Sequence, residues 1–188
     1  MQFRLIAISL LLVFTAPAAE KAPHPYRSRY VKDTFGKKAA IRTGVSAGVQ
    51  QLRNSPREWG HGIGGFGKRV ASGFGQHVVK NSIQYPIAAI RHEELGYRPS
   101  GKKGFGPRLG YALTSTVVTH KTTTGKKTVA AGRISGAIGS GFISRAWQPA
   151  RLHTFSSGAA SGGVMLGVDA GNNVVREFWP EIRHPRKH

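Results

Sequence analysis

Three short patterns in this chain match signatures of chemistry. Gly44-Val45-Ser46-Ala47-Gly48 has the spacing of the G-x-S-x-G nucleophile elbow, in which a strained turn between a strand and a helix raises a serine into attacking position. Asp169 and His184 follow it in the chain order of an α/β-hydrolase triad. Gly62-Ile63-Gly64-Gly65-Phe66-Gly67 has the G-x-G-x-x-G spacing of a dinucleotide-binding turn, and GYRPSGK, from Gly96 to Lys102, approaches a P-loop. Each fails on context. The residues before Ser46, GKKAAIRT, form helix rather than strand; PREWGH before Gly62 holds no buried strand; position 103 is Lys where a P-loop needs a magnesium-binding Ser or Thr.

Metal and acid–base chemistry fare no better. The eight histidines are scattered, His92-Glu93-Glu94 lacks the second histidine of H-E-x-x-H, and there is no cysteine. Glu93 and Glu94 are neighbours in sequence, so on a helix they do not face each other as a catalytic pair would; they read as groups that cap and neutralise a basic surface. The expectation is a non-enzymatic chain with no catalytic residue, no metal site, no cofactor and no small-molecule substrate.

Charge points to partners instead. Lys and Arg number 28 against 8 acids, a formal net charge of +20, which attracts polyanions. The densest site is the glycine- and proline-rich stretch 96–108, where Arg98, Lys102, Lys103 and Arg108 accompany Tyr97 and Phe105. Cations and backbone N–H groups on such a loop suit a phosphate. The expected partner is an anionic membrane surface or an envelope polymer, without specific nucleic-acid recognition.

The N-terminus supplies the compartment. Arg4, the apolar run Leu5–Phe14 and Ala16-Pro17-Ala18 form the charged, apolar and small-x-small regions of a signal peptide, with cleavage before Ala19. Ten apolar residues are too few to cross a bilayer, which takes about 20. An exported protein, in the periplasm or outer envelope and membrane-associated, is the expectation; the alternative is a soluble periplasmic or secreted helical protein that binds a polyanion through the 96–108 loop and the basic tail. Without cysteine its fold must hold by packing alone.

The elements that position these residues are mainly α: a compact bundle of about four glycine-edged helices over 36–180, following an irregular basic lead-in at 19–35 and preceding a disordered basic tail at 181–188. Glycine inside a helix is less favourable than alanine by roughly 1 kcal/mol, so recurrence at i+4 implies that backbones approach closely. The predicted seam comprises Gly44 and Gly48, Gly60 and Gly64, Gly132 and Gly136, and Gly163, Gly167 and Gly171, and a second copy could also dock through it. Ser55, Pro56 and Glu58 read as N-cap, N1 and N3 of the second helix, which runs to about 92 with a polar side at Lys68, Arg69, Gln76 and Lys80 and an interruption at Pro86. The third spans 129–147 and the last 156–179, stopped by Pro149 and Pro180. The Thr- and Val-rich runs around Gly125, near 115–131, fit either a short β-hairpin or the tip of a helical hairpin. Trp59, Trp147 and Trp179 close three segments beside arginines, as plugs of a bundle or as residues of a membrane interface.

The stretches KGFGPRLGYALTSTVV, GFISRAWQP and VVREFWPEI resemble a family of uncharacterised exported bacterial proteins, a likeness that implies no activity. The glycine spacing is also similar to the glycine-zipper pattern of membrane-associated helical proteins. Arg133, Arg145 and Asp169 interrupt the least polar segments, and charge at a bilayer centre is unfavourable by about 2.5–3.5 kcal/mol or more. Interfacial helices, or an assembly that hides these charges, are therefore expected over simple spans.

Overall fold

The computed structural model describes residues 24–183. The predicted signal peptide, the start of the predicted lead-in (19–23) and the tail from His184 lie outside them. The described chain is mainly α, with helices α1 (His24–Phe35), α2 (Lys37–Leu52), α3 (Ile63–Ile90), α4 (Phe105–Thr114), α5 (Ala131–Ile143) and α6 (Phe155–Arg183). A short antiparallel hairpin of β1 (Val118–His120) and β2 (Lys127–Val129) joins α4 to α5, with Thr119 opposite Thr128. It resolves the 115–131 region as a strand pair. Helix α3 is the spine: α1 and α2 pack against it, α5 packs on it as well, α6 lies against α5, and α4 lies against α6.

Several boundaries differ from expectation for identifiable reasons. The lead-in is not irregular from His24 onward: α1 forms there because Tyr26, Tyr30 and Thr34, at i+4 spacing, dock on α3 and the chain that follows it. Tyr26 donates to the Glu93 carbonyl (2.9 Å), Tyr30 lies 3.0 Å from Ser82 Oγ, and Thr34 Oγ1 accepts from Asn81 (2.9 Å). A ladder of hydroxyls leaves no apolar periodicity to detect. The second helix starts at Ile63 rather than Pro56, because Gly60 has φ +67°, which no helix accommodates, and a single 3-10 turn (Arg57–Trp59) precedes it. Helix α3 continues through Pro86, and α6 continues through Pro180 to Arg183.

The glycine seam is the largest correction. A Cβ at Gly132 would meet the Gln84 carbonyl oxygen at 2.7 Å, and one at Gly136 would meet that of Lys80 at 2.7 Å, so these two lie at a true close approach of α5 to α3. The opposite side of α5 meets α6 through Gly141, whose Cβ would fall 2.5 Å from Gly158 O and from Gly162 N. Gly44, Gly48, Gly64, Gly163, Gly167 and Gly171 face open space, and Gly60 serves a turn. On α6 the seam is Gly158–Gly162, one residue away from the predicted ladder; one residue is about 100° around a helix.

The interior is correspondingly unusual. Its buried apolar residues are Ala39, Ala47, Tyr85, Ala88, Ala112, Ala130 and Ala137, while Arg69, Gln76, His77, Lys80, Asn81, Gln84, Glu93, Arg133, Asn173 and Glu177 are buried beside them. Arg69, Gln76 and Lys80 of the polar side of α3 thus turn inward, while Lys68 stays exposed. Arg69, 1% exposed, donates to the carbonyls of Ser55, Pro56 and Gly60 and to Gln51 Oε1, closing the 51–60 turn. Glu93 caps α5 from outside that helix: Ala131 N and Gly132 N donate to its carboxylate at 3.1 and 2.9 Å, and Arg91 Nε lies 2.7 Å away. A carboxylate at a helix N-terminus satisfies orphan N–H groups and complements the macrodipole.

Large apolar side chains are left outside. On α2, Ala39, Thr43 and Ala47 are buried while Ile41, Val45, Val49 and Leu52 form the exposed opposite stripe. On α6, Val164, Val168, Val175, Trp179 and Ile182 do the same. No described helix is long and apolar enough to cross a membrane.

Candidate anion-binding cleft

Ser46 lies in the regular part of α2, exposed and accepting a hydrogen bond from Gln50 four residues on (3.2 Å). The strained strand-to-helix turn that a nucleophile elbow requires is not formed there. Asp169 is engaged elsewhere, with Lys80.

The predicted anion loop is tied down onto α6. Glu177, buried, accepts hydrogen bonds from Tyr97 OH (2.6 Å), Ser100 N (3.0 Å), Ser100 Oγ and Arg108 Nε (3.2 Å). Burial by itself would raise its pKa, but these donors prevail and hold the carboxyl at about 2. Arg108, which sits on α4 and not in a loop, also pairs with Glu181 and covers the Phe178 ring at 4.4 Å. Arg98 pairs with Glu94 at 2.9 Å, and Lys102 lies over the Tyr111 ring at 5.6 Å. Lys103 alone of the four is exposed without such a contact among the described residues. The loop is therefore a structural strap whose arginines are already neutralised.

Unneutralised cations converge instead in a cleft of about 110 Å³ that the sequence reading did not identify. Helix α3 supplies His77, Lys80, Asn81, Gln84 and Tyr85, at the i+3/i+4 spacing of one face. Helix α6 supplies Asp169, Asn172, Asn173 and Arg176 by the same rule. Asp33 of α1, Lys38, Ala39 and Arg42 of α2, Arg133 of α5, and Leu95 and Tyr97 complete the wall. The cleft lies alongside the glycine contacts: α5 holds α3 and α6 through backbone, and polar side chains fill the space where their axes are not in contact.

Its two carboxylates are already occupied. Asp169 accepts from Lys80 Nζ at 2.5 Å, both side chains being nearly enclosed. Asp33 accepts from Tyr85 OH at 2.6 Å and lies 3.7 Å from Arg29. The Asp33 backbone carbonyl receives His77 Nε2 (2.9 Å). Asn173 Nδ2 reaches Thr116 Oγ1 (3.3 Å), and Arg133 donates to the carbonyls of Ser115 and Thr116. These bonds set the rotamers of the walls.

The electrostatics are one-sided. Burial pushes the Lys80 ammonium below its ordinary pKa; Asp169 opposes that shift, and the nearby charges of Arg42 and Arg133 reinforce it. Burial likewise lowers Arg133, against the pull of Asp169 and Glu93 and with the repulsion of Arg176. His77 is lowered first by burial, then by Lys80 and Arg42. Among the described residues, Lys38, Arg42 and Arg176 have no hydrogen-bonding or ion-pair partner. Five cations thus share a small space with two spoken-for acids. Such a site favours an incoming anion; it holds no nucleophile–base pair and no metal-ligand cluster among the described residues.

One signal for the cleft was visible in sequence. Asp169, an isolated acid inside a glycine-rich helix, needs a buried cationic partner. Nothing in the spacing names Lys80, 89 residues away, as that partner. No family model, curated protein or solved structure matches this chain.

Proposed function

We propose that this is an exported, non-enzymatic envelope protein that lies on an anionic membrane surface, with its outward apolar stripes set among the headgroups and its excess cations against lipid charge. The observation that carries the reading is the inverted burial. Ile63 is 92%, Leu52 87% and Val164 64% exposed, while alanine, glycine and paired polar groups fill the interior. Exposed apolar surface of this extent marks an interaction site. Charge selects the occupant: +20 overall, with Lys38 and Arg42 beside the α2 stripe by helical spacing. Association by interfacial helices suits a bundle with no described spanning helix.

Flotation with vesicles tests it. Mature protein should float with phosphatidylglycerol/phosphatidylcholine vesicles and not with phosphatidylcholine alone. Val45→Asp/Val49→Asp and Val164→Asp/Val168→Asp should each weaken binding by about tenfold or more, through lost apolar insertion and added repulsion, with helicity retained by circular dichroism. Protein that stays in the soluble fraction with every vesicle overturns the reading. A concentration-dependent dimer without vesicle binding would overturn it too and assign the stripes to a second copy.

A further inference from the structure

We infer that the cleft between α2, α3 and α6 is a binding site for a phosphate group, gripped by Arg42 and Arg176 with Lys38 at the rim and the Lys80–Asp169 pair as its floor.

The shape of the site carries this. The space, about 110 Å³, suits a compact tetrahedral anion more than an extended polymer. Arg42 of α2 and Arg176 of α6 both line the cleft and are unspent among the described residues, so their guanidinium forks are available for the bidentate contacts that phosphate oxygens accept. The amides of Asn172 and Gln84 add donors to the lining. Deeper charge cannot move away, because Lys80 is 4% exposed and fixed by Asp169. The floor is therefore a fixed, net-neutral ion pair, and the positive potential of the cleft comes from Arg42, Arg133, Arg176 and Lys38.

The phosphate could belong to a lipid headgroup or be free in solution; the recognition chemistry is shared. On the lipid side, helical spacing sets the apolar stripes of α2 and α6 next to the residues that line the mouth, which would seat the cleft at headgroup level. The site does not depend on that placement. Soluble phosphate binding would stand even if the membrane reading failed.

The test uses the mature protein and inorganic phosphate at constant ionic strength, read by titration calorimetry. Arg42→Gln/Arg176→Gln should weaken phosphate binding by about tenfold or more. Lys126→Gln/Lys127→Gln, which removes the same charge from the distant hairpin, should leave it within about twofold. Phosphatidic acid vesicles, added next, distinguish the sources: competition with phosphate assigns the site to a lipid headgroup, and absence of competition assigns it to free phosphate, both with the cleft intact. An equal loss in the two double variants would overturn the proposal, since net charge alone would explain the binding. So would wild-type protein that takes up no phosphate.

Discussion

Helix α6 is held in two different ways along its length. Near its start, Gly158 and Gly162 meet Gly141 of α5 backbone to backbone, with no side chain between. Two turns further on, Asp169 reaches Lys80, then Asn173 reaches Thr116 and Glu177 gathers the 97–108 strap. The first half has specificity through the absence of atoms, the second through directional bonds. The difference explains how a chain with so few large buried apolar residues can fix one arrangement: glycine contacts bring the axes together, and polar pairs set rotation and register.

The far half should be the more fragile to a single change. Lys80→Met leaves Asp169 buried without a partner and should lower unfolding free energy by about 3–5 kcal/mol in urea titrations. Lys80→Met/Asp169→Leu should recover most of it. If both variants were equally unstable, shape and not charge would be holding that half.

In the near half, Gly141→Leu forces side-chain atoms into the backbone of Gly158 and Gly162, which cannot step aside as a side chain can. The expected loss is about 3 kcal/mol, at the upper end of ordinary overpacking. Gly167→Ala, one face away in open space, should instead gain about 0.5–1 kcal/mol from helix propensity. A destabilising Gly167→Ala would restore the predicted seam at 163, 167 and 171.

Acid sharpens the contrast in a graded way. Glu177 has its folded pKa held at about 2, against an ordinary 4.5. The unfolded chain therefore binds more protons between those values, and the stabilisation present above pH 4.5 is lost as pH falls towards 2. The contribution to the slope is at most about 1.4 kcal/mol per pH unit. Glu177→Gln should flatten the stability–pH curve in that window, while Gly141→Leu should shift it downward without changing its slope.

Much of the fold was legible in sequence because it depends on local signals. Periodicity marked four of the six helices, Pro149 followed the end of the α5 segment, the β-hairpin was one of two readings left open around Gly125, and Gly132 and Gly136 were placed at a close approach. Periodicity says which residues share a face, but not which face goes inside. On α2 and α6 the apolar faces point outward, contrary to the rule that ordinarily decides the matter. On α6, adjacent Gly162 and Gly163 begin two different ladders, and only the position of α5 selects between them. The cleft was hidden for a further reason. Its residues come from five helices and a loop, and apart from Asp169 and Arg133 its polar members look, each within its own segment, like ordinary surface groups. The basic loop misled in the opposite sense: four cations in a cluster suggested a free patch, but the partners Glu177 and Glu181 lie some 70 residues on, beyond any local pattern.

The capping of α5 by Glu93 bears on the cooperativity of the molecule. Helix α5 carries four glycines, at 132, 136, 139 and 141, in 13 residues. A helix so short and glycine-rich is not stable in isolation. Its first N–H groups are satisfied by a carboxylate 38 residues earlier, delivered only when the intervening chain, α4 and the hairpin included, closes as a loop. The native stability of α5 thus depends on α3, Glu93 and α6 being in place. Cooperativity is the result: the helix that joins α3 to α6 is the one that is not stable without them.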